Sequence, residues 1–336
     1  MRTLYKHMRN TLGRRPLLGL AAGFGLAAPA LAQPRGLPTG AITIVVPFTA
    51  GSTNDIAARL VAPELMAQLG QSVVVENRPG AGGTVGIGQV IRARPDGLTL
   101  VLVSSSSIPI NRALYRNLAF DPARDLTMIG MAGSTPNALM VSAASGITSL
   151  AELIALAKRP GQPPIRYYSP GNGTAQQLSC VQIAMLTGMP VENVTYRGPV
   201  EGITALMTGE VAYGFATVPS VVGLVRDGLL RSVGTTGPRP STLAGVPTLV
   251  SLGYPGFLET DIWFGIAASR EVPAEGLALL RGAFDRALAG TAMKERLARA
   301  GFDPVPPRTP AQFDAFITSQ VDFWAELVRS SGTTLD

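Results

Sequence analysis

The chain has 336 residues, of which 46% are hydrophobic and 15% charged, so it can bury a sizeable core and carries too little charge for a disordered protein. Its length predicts two domains or one large one. The formal charge of +6 suggests nucleic-acid binding, but five of the 28 basic residues and none of the 22 acidic residues lie in the first 32 positions. The nearly neutral remainder excludes a broad phosphate-binding face, and no nucleic-acid partner is expected.

Residues 1–32 are predicted to be an export signal that is cleaved near Ala32. A basic segment without acids precedes an apolar segment at residues 17–31, and small residues flank the expected cleavage point. The apolar segment is shorter than the roughly 20 residues that span a membrane, and it contains Pro29. The adjacent arginines at 14 and 15 fit a twin-arginine signal or an ordinary Sec signal. Either route predicts a periplasmic protein.

Short apolar strands alternate with helical segments along the rest of the chain, which predicts an α/β fold with mainly parallel sheets. Strands are expected at residues 42–46, 73–76, 98–103, 139–141, 165–168, 194–196, 211–215, 230–235 and 262–268. Helices are expected at residues 56–69 with a kink or split at Pro63, and at 150–158, 175–186, 199–209, 274–300 with a break near Gly290, and 310–330.

Two similar units carry most of the predicted binding chemistry. Each is a strand followed by a loop rich in Gly, Ser, Thr and Asn and then a helix, with PFTAGSTND at residues 47–55 and SPGNGT at residues 169–174. Glycines allow close approach of backbone N–H groups, and helix N-termini favour anions. Because open α/β sheets bind ligands at this edge, the two loops could hold a carboxylate from both sides. Ordinary turn and capping chemistry explains them equally well.

A glycine run at residues 80–88 also follows a strand, so a nucleotide site has to be considered. The run lacks the G-x-G-x-x-G spacing of dinucleotide-binding folds. Gly82, Gly86 and Gly88 match the spacing of short-chain dehydrogenases, but no lysine after residue 32 follows a tyrosine by four positions. We therefore predict a packing turn with a closely approaching helix.

Two further strand ends carry polar side chains. Four serines at residues 104–107 place hydroxyls after the third strand, where a ligand contact and a plain polar loop are equally favoured. Tyr196-Arg197 follows another strand. Arg197 could pair with a carboxylate, although a solvated arginine is the commoner case for an isolated position.

Several segments taken in order resemble one family. They are Pro47-Phe48-x-x-Gly51-x-x-x-Asp55, VVVENRPGAGGTVG at residues 73–86, Pro95-Asp96-Gly97, Asn111-x-x-Leu114-Tyr115, Phe120-Asp121-Pro122, Gly171-Asn172-Gly173-Thr174, Tyr196-Arg197-Gly198, Val246-Pro247-Thr248, Gly253-x-Pro255-Gly256-Phe257 and Trp263-Phe264-Gly265. They are similar to motifs of the substrate-binding proteins of tripartite tricarboxylate transporters, also called Bug receptors. The ENRPGAGG segment is the most specific of them, and the matches span nearly the whole chain after residue 32.

The resemblance implies a two-lobed periplasmic binding protein fold of the second type, in which the lobes close around a small organic anion like a Venus flytrap. The first lobe is expected at residues 33–138 plus 262–336, and the second at residues 139–261. The implied partners are a carboxylate ligand and the transmembrane subunits of a tripartite tricarboxylate transporter, and the receptor is expected to be a monomer.

The resemblance also implies which residues contact the ligand. They are Phe48, Thr49, Gly51, Ser52, Thr53, Asp55, Ser104, Ser105, Ser169, Gly171, Asn172, Gly173, Thr174, Tyr196 and Arg197, with Asp55 ordering the first loop and capping its helix. This sequence departs from the family at four positions. Ser52 and Asn54 stand where many members have Gly and Thr, Gln177 where His is common, and Arg197 where Lys is common. These departures leave the identity of the carboxylate open.

The composition argues against an enzyme. The one histidine, His7, lies in the predicted signal, so the exported chain can form no Ser-His-Asp triad, Cys-His pair or His-ligated zinc site. Cys180 is the single cysteine, which excludes an intramolecular disulfide and predicts a core residue on a helix. We predict no catalytic residue, metal or cofactor. The alternatives are an exported enzyme that uses the carboxylates of Asp55 and Asp261, and a receptor that presents its ligand to a signalling partner.

Overall fold

Apolar and β-branched segments form ten strands in the computed structural model, within the residues that it describes: 36–115, 117–238, 241–257 and 260–331. The strands are β1 Ile42–Val46, β2 Val73–Asn77, β3 Thr99–Ser104, β4 Leu126–Thr135, β5 Asn137–Ser142, β6 Ile165–Ser169, β7 Val191–Thr195, β8 Gly214–Thr217, β9 Leu230–Thr235 and β10 Ile262–Ser269. The predicted export signal lies outside the described residues.

Eleven α-helices connect these strands in the same described ranges. They are α1 Thr53–Leu69, α2 Thr84–Arg92, α3 Asn111–Leu114, α4 Pro122–Asp125, α5 Leu150–Ala157, α6 Ala175–Thr187, α7 Pro199–Met207, α8 Val218–Arg226, α9 Ala274–Ala289, α10 Thr291–Arg299 and α11 Pro310–Ser331. Helix α1 continues through Pro63 without splitting and ends at Gly70, whose φ of 66° gives a left-handed cap. The predicted break at Gly290 separates α9 from α10.

The strands form three sheets, with orders β2-β1-β3-β10-β4, β8-β5-β9 and β6-β7. Strands β1, β2 and β3 are parallel to one another, and so are β6 and β7. Strand β10 runs antiparallel to β3 and β4, and β5 runs antiparallel to β8 and β9. The predicted α/β class is confirmed, and the sheets are mixed because β5 and β10 follow passages of the chain from one sheet to the other.

The first of these passages is short. Only Pro136 separates β4, in the five-stranded sheet, from β5, in the three-stranded sheet. Strand β4 was not predicted, because Gly130 and Gly133 interrupt its apolar pattern. A Cβ at Gly130 would lie 2.2 Å from the ring of Phe284, so the glycine is needed for α9 to pack on the strand.

Apolar side chains cover both faces of each larger sheet. In β1, Ile42, Ile44 and Val46 join one core cluster while Val45 joins another. In β5, Leu139 and Val141 face one cluster while Ala138 and Met140 face a second. Burial on both faces explains why the strands are continuous apolar runs and not alternating ones. Cys180 is fully buried on α6, as predicted.

The described helices include none that is both long enough and apolar enough to cross a membrane.

Candidate functional site

A cavity of about 390 Å³ lies where the carboxyl ends of several strands meet. Its walls include segments that directly follow or end four strands: residues 47–49 and 52–54 after β1, Ser104 and Ser106 at β3, residues 170–172 and Thr174 after β6, and Thr217 at β8. The volume falls in the range of roughly 300–1,000 Å³ that is usual for small-molecule sites. Both the five-stranded and the three-stranded sheet therefore contribute to one pocket.

Asp55 organises the first loop from behind the cavity. Its carboxylate accepts hydrogen bonds from the Gly51 N–H, the Asn77 amide and the Arg59 guanidinium, each at 3.0 Å. The Asn77 amide also donates to the Phe48 carbonyl at 3.1 Å. Gly51 has a φ of 78°, a left-handed conformation that glycine adopts without strain. These contacts hold the backbone of the loop in one shape around a buried charge.

The same contacts keep Asp55 ionised. Burial raises the pKa of this carboxyl, but the hydrogen bonds from Arg59, Gly51 and Asn77 outweigh it, so the pKa lies below the usual value of 3.8. Asp55 is 4% exposed and is not part of the cavity wall. A general acid needs a raised pKa and access to the substrate, so Asp55 has neither property required by the enzymatic alternative.

The second loop is braced without a charge. The Gly173 N–H donates to the side-chain oxygen of Gln177 at 2.6 Å, and the Ser169 hydroxyl donates to the Gly171 carbonyl at 2.9 Å. Thr174 caps α6 by accepting the Gln177 N–H at 3.3 Å. Gly171 and Gly173 have φ values of 139° and 78°, which explains the glycines in this loop.

The serines after β3 divide their roles by position. The Ser105 hydroxyl accepts the Trp263 N–H at 3.2 Å, and the Ser107 hydroxyl accepts the Ser104 N–H at 2.8 Å. Ser106 lines the cavity and accepts the Ala175 N–H at 3.2 Å. Ser104 also lines the cavity and is 1% exposed, and its buried hydroxyl has no hydrogen-bond partner among the described residues. Ser104 is thus the serine of the cavity wall whose hydroxyl is unpaired.

Tyr196 and Arg197 complete one side of the pocket. The Tyr196 hydroxyl donates to Glu210 at 2.8 Å, and burial together with this carboxylate raises the pKa of Tyr196 to about 12. The phenol therefore stays neutral and presents its ring to the cavity. Arg197 is exposed, and among the described residues its guanidinium forms no ion pair. Its charge is available to a ligand.

The predicted ligand residues fall into two groups in the structure. Ten line the cavity: Phe48, Thr49, Ser52, Thr53, Ser104, Gly171, Asn172, Thr174, Tyr196 and Arg197. The other five lie outside its wall: Gly51, Asp55, Ser105, Ser169 and Gly173. Each of these five makes one of the loop or strand contacts given above, so they brace the pocket.

Sequence reasoning missed several residues of the wall. They are Asn54, the turn at residues 80–83, Tyr115, Tyr168, Gln176, Thr217, Ser220 and Phe264. The turn was interpreted as packing, and part of the run does pack, because a Cβ at Gly86 would lie 2.9 Å from Pro47. Gly80, Gly82 and Gly83 all have positive φ values, a conformation that glycine adopts without strain. The glycines after the strand are therefore required by the backbone conformation of the turn.

The electrostatics of the wall are simple. Of the described residues that line the cavity, Arg197 alone carries a charge at neutral pH, and none is an Asp or Glu. The rest of the polar surface consists of hydroxyls, side-chain amides and backbone groups. Such a pocket favours an anion that is held mainly by neutral donors. Within the described ranges no cluster of three or more His, Cys, Asp or Glu residues is placed to hold a metal.

Several contacts cross the pocket between its two sides. The Thr53 and Thr217 hydroxyls are 2.5 Å apart, and Ser106 accepts the Ala175 N–H. A Cβ at Gly198 would lie 2.8 Å from the Thr49 hydroxyl, so these backbones approach closely. The loops after β1 and β3 thus touch the loops after β6, β7 and β8 directly.

Comparison with known proteins places this geometry in context. Residues 57–333 match the model of a family described as tripartite tricarboxylate transporter family receptor. Protein BugT of Bordetella pertussis (strain Tohama I) is 33% identical over 314 residues, which is 93% of this chain and 94% of that protein. A solved R. palustris protein with adipate is 28% identical with a TM-score of 0.83, covering 88% of this chain and 99% of that one. The periplasmic binding protein BugD is 27% identical with a TM-score of 0.82 over the same shares.

Proposed function

The chain belongs to the tripartite tricarboxylate transporter receptor family, and from this premise we propose that it captures a small organic carboxylate and delivers it to the membrane subunits of such a transporter. Its fold is that of the periplasmic binding proteins, as predicted. The matched family is one of receptors, which confirms the interpretation as a binding protein and not an enzyme.

The observation that carries the ligand class is the charge of the pocket. One free guanidinium, Arg197, faces a wall without carboxylates and with many hydroxyl and amide donors. An anion gains hydrogen bonds from this wall, whereas a cation would be desolvated without a counter-charge. The relative that was solved with adipate supports a carboxylate for this chain as well.

Capture is proposed to occur by hinge closure of two lobes, residues 33–138 plus 262–336 and residues 139–261. The chain passes between the five-stranded and three-stranded sheets at Pro136 and again before β10. Both crossings lie close to the proposed lobe boundaries, so we propose them as the hinges. The ligand would lie between the loops at residues 48–55 and 169–174, with Ser104, Tyr196 and Arg197 beside it. Contacts such as Thr53 with Thr217 support closure, because they join the two sides of the pocket.

The cellular part of the proposal rests on the N-terminal sequence and the family. Residues 1–32 would direct export and be removed near Ala32, leaving a periplasmic monomer that meets its transporter at the membrane. N-terminal sequencing of the protein from the periplasmic fraction tests this step. A mature protein that still carried residues 1–32 would contradict it.

A thermal-shift screen tests the carboxylate. The full chain is expressed, purified from the periplasmic fraction, unfolded and refolded to remove bound ligand, and tested with mono-, di- and tricarboxylates, aromatic acids, amino acids and neutral sugars. At 100 times its dissociation constant a ligand adds about 2.7 kcal/mol to the stability, which should raise the melting temperature of a chain of this length by about 4 °C. We expect one class of carboxylate to do so.

A pair of arginine variants provides the control. Arg197→Gln should weaken the binding of the identified carboxylate about tenfold, and Arg226→Gln, an exposed arginine outside the cavity, should not change it. Stabilisation by sugars alone, with every carboxylate silent, would refute the proposed function.

A further inference from the structure

Two buried side chains of the cavity have no hydrogen-bond partner inside the protein. The side-chain oxygen of Asn54 and the hydroxyl of Ser104 are both inaccessible to solvent and unpaired, in residues that are 9% and 1% exposed. Both residues line the cavity. Buried polar groups in folded proteins are nearly always paired, since a buried group without a hydrogen-bond partner loses its hydration and gains nothing in return. A bound ligand is the partner that would satisfy these two.

The surroundings of both groups explain why they remain free. Asn54 lies in the first turn of α1 between Thr53, whose hydroxyl is paired with Thr217, and Asp55, whose carboxylate is paired three times. Ser104 ends β3, where its backbone N–H is already satisfied by Ser107. The neighbouring groups are thus engaged in bracing, and the unpaired groups belong to two residues of the cavity wall.

Resting on the proposed function, we propose that Asn54 and Ser104 form a neutral subsite for a second, uncharged polar group of the ligand. The ligand class is then a carboxylate with a single negative charge and a hydroxyl group at a distance from it. An amide and a serine hydroxyl each donate and accept a hydrogen bond, and an alcohol matches both.

The charges of the wall disfavour the two common alternatives for that second group. A second carboxylate would be buried beside neutral groups, since Arg197 is the one cation among the lining residues of the described chain. An ammonium group would be buried without any Asp or Glu in the wall. A hydroxyl costs far less to desolvate and is repaid by two hydrogen bonds. The body between the two ends meets rings such as Phe48 and Phe264 and needs no charge.

Two matched series of acids test the inference by isothermal titration calorimetry with the full chain. The first is hexanoate, 6-hydroxyhexanoate, 6-aminohexanoate and adipate, which differ only at carbon six. The second is benzoate, 4-hydroxybenzoate and terephthalate. We expect the hydroxy acid of the better-fitting series to bind at least tenfold more tightly than any other member of that series.

Two single-residue variants test whether Asn54 and Ser104 cause the preference for the hydroxy acid. In Asn54→Ala and in Ser104→Ala the hydroxy acid should bind within about threefold of the unsubstituted acid, while the affinity of the unsubstituted acid should hardly change. The unliganded melting temperature of Ser104→Ala should not fall, because its hydroxyl makes no bond to lose. Asn117→Ala, an exposed asparagine outside the cavity, should retain the full hydroxyl preference.

Three results would overturn the inference. The first is that a dicarboxylate or the amino acid binds most tightly. The second is that the preference for the hydroxy acid persists in both variants. The third is that none of the seven acids binds detectably. The proposed function would survive each of these as long as some other carboxylate stabilises the protein in the wider screen. The proposed function would fall if no carboxylate in that wider screen stabilised the protein.

Discussion

The two loops that follow β1 and β6 look alike in sequence, yet the structure holds them in different ways. The first is tied to the carboxylate of Asp55, which receives bonds from Gly51, Asn77 and Arg59. The second is tied to the neutral amide of Gln177, which receives the Gly173 N–H. Asp55 and Gln177 each occupy the third position of their helix, and each accepts an N–H of the preceding loop. One geometry is thus achieved once with a charge and once without.

The difference matters for what faces the ligand. In the first loop the charge lies behind the backbone, so Thr53 and Asn54 can present neutral groups to the cavity. The second loop is held by the neutral amide of Gln177. An anion is therefore met by two loops without a nearby negative charge on the wall, and the carboxylate of Asp55 is compensated by Arg59. We therefore expect the loops to differ in stability and pH response more than in the groups that they offer to a ligand.

Removing the charged brace should have the largest effect. Asp55→Ala leaves the Gly51 N–H and the Asn77 amide without their partner, and we expect a loss of about 2–3 kcal/mol in the free energy of unfolding together with loss of carboxylate binding. This loss is smaller than that expected for a buried ion pair, because Arg59 is more than half exposed and solvent screens its charge. Chemical denaturation measures it.

Asp227→Ala is the matched control, since this aspartate is exposed and lies 3.9 Å from Arg226 on the surface. It should change the stability by less than about 0.5 kcal/mol. If both variants were equally stable, Asp55 would not organise the loop.

The next largest effect should be a difference in how the two braces respond to acid. The pKa of Asp55 lies below its ordinary value of 3.8, so its ionised form stabilises the fold above the unfolded pKa of about 3.9, and this contribution is lost as the pH falls through the lower, folded pKa. We expect the melting temperature of the wild type to fall more between pH 6 and pH 3 than that of Asp55→Asn. Gln177→Ala should keep the acid response of the wild type. Equal acid responses in wild type and Asp55→Asn would contradict the charged brace.

Removing the neutral brace should lower the free energy of unfolding by less than removing the charged one. Gln177→Ala removes the acceptor of the Gly173 N–H, and a neutral hydrogen bond contributes about 1 kcal/mol. We therefore expect a loss of about 1 kcal/mol in the free energy of unfolding and weaker carboxylate binding. Gln312→Ala, an exposed glutamine near the start of α11, provides the comparison for amide removal at a helix N-terminus. A loss as large as that of Asp55→Ala would remove the distinction between the two loops.

How far the sequence predicts this site depends on how directly a residue's role follows from its neighbours in the chain. Strand β1 and the loop after it were predicted because apolar runs and Gly-Ser-Thr loops carry local signals. Ser104 and Ser105 carry the same local signal, yet one faces the cavity and the other bonds Trp263, 158 positions away. Asn54 was passed over beside Asp55 because only the helix geometry decides which of two adjacent polar residues faces inward.

The same limit applies to the fold. Strand β10 was predicted from its own apolar run, whereas its antiparallel direction depends on the return of the chain from the three-stranded sheet. Strand β4 depends on Phe284 filling the space above Gly130, a contact across 154 positions that leaves no mark within the strand itself. Composition and local pattern therefore predict the elements, and long-range packing decides their pairing.

The smallest predicted effect tests whether the first loop and the end of β8, across the pocket, are energetically coupled. The Thr53 hydroxyl contacts the Thr217 hydroxyl, which also contacts Ser220, so Thr53 joins the first loop to the end of β8. Thr53→Val keeps the shape of the side chain and removes the hydrogen bond. We expect a loss of about 0.5–1 kcal/mol and a several-fold weaker affinity for the identified carboxylate.

A double-mutant cycle gives this prediction its specificity, because Thr53→Val and Thr217→Val remove the same contact from opposite sides. The double variant should lose clearly less than the sum of the two single losses, and Thr318→Val, an exposed threonine on α11, should lose almost nothing. Additive losses would mean that the two hydroxyls stabilise their own segments independently. Coupled losses, in affinity as well as in stability, would mean that the charged loop and the far side of the pocket are held together when the ligand is bound.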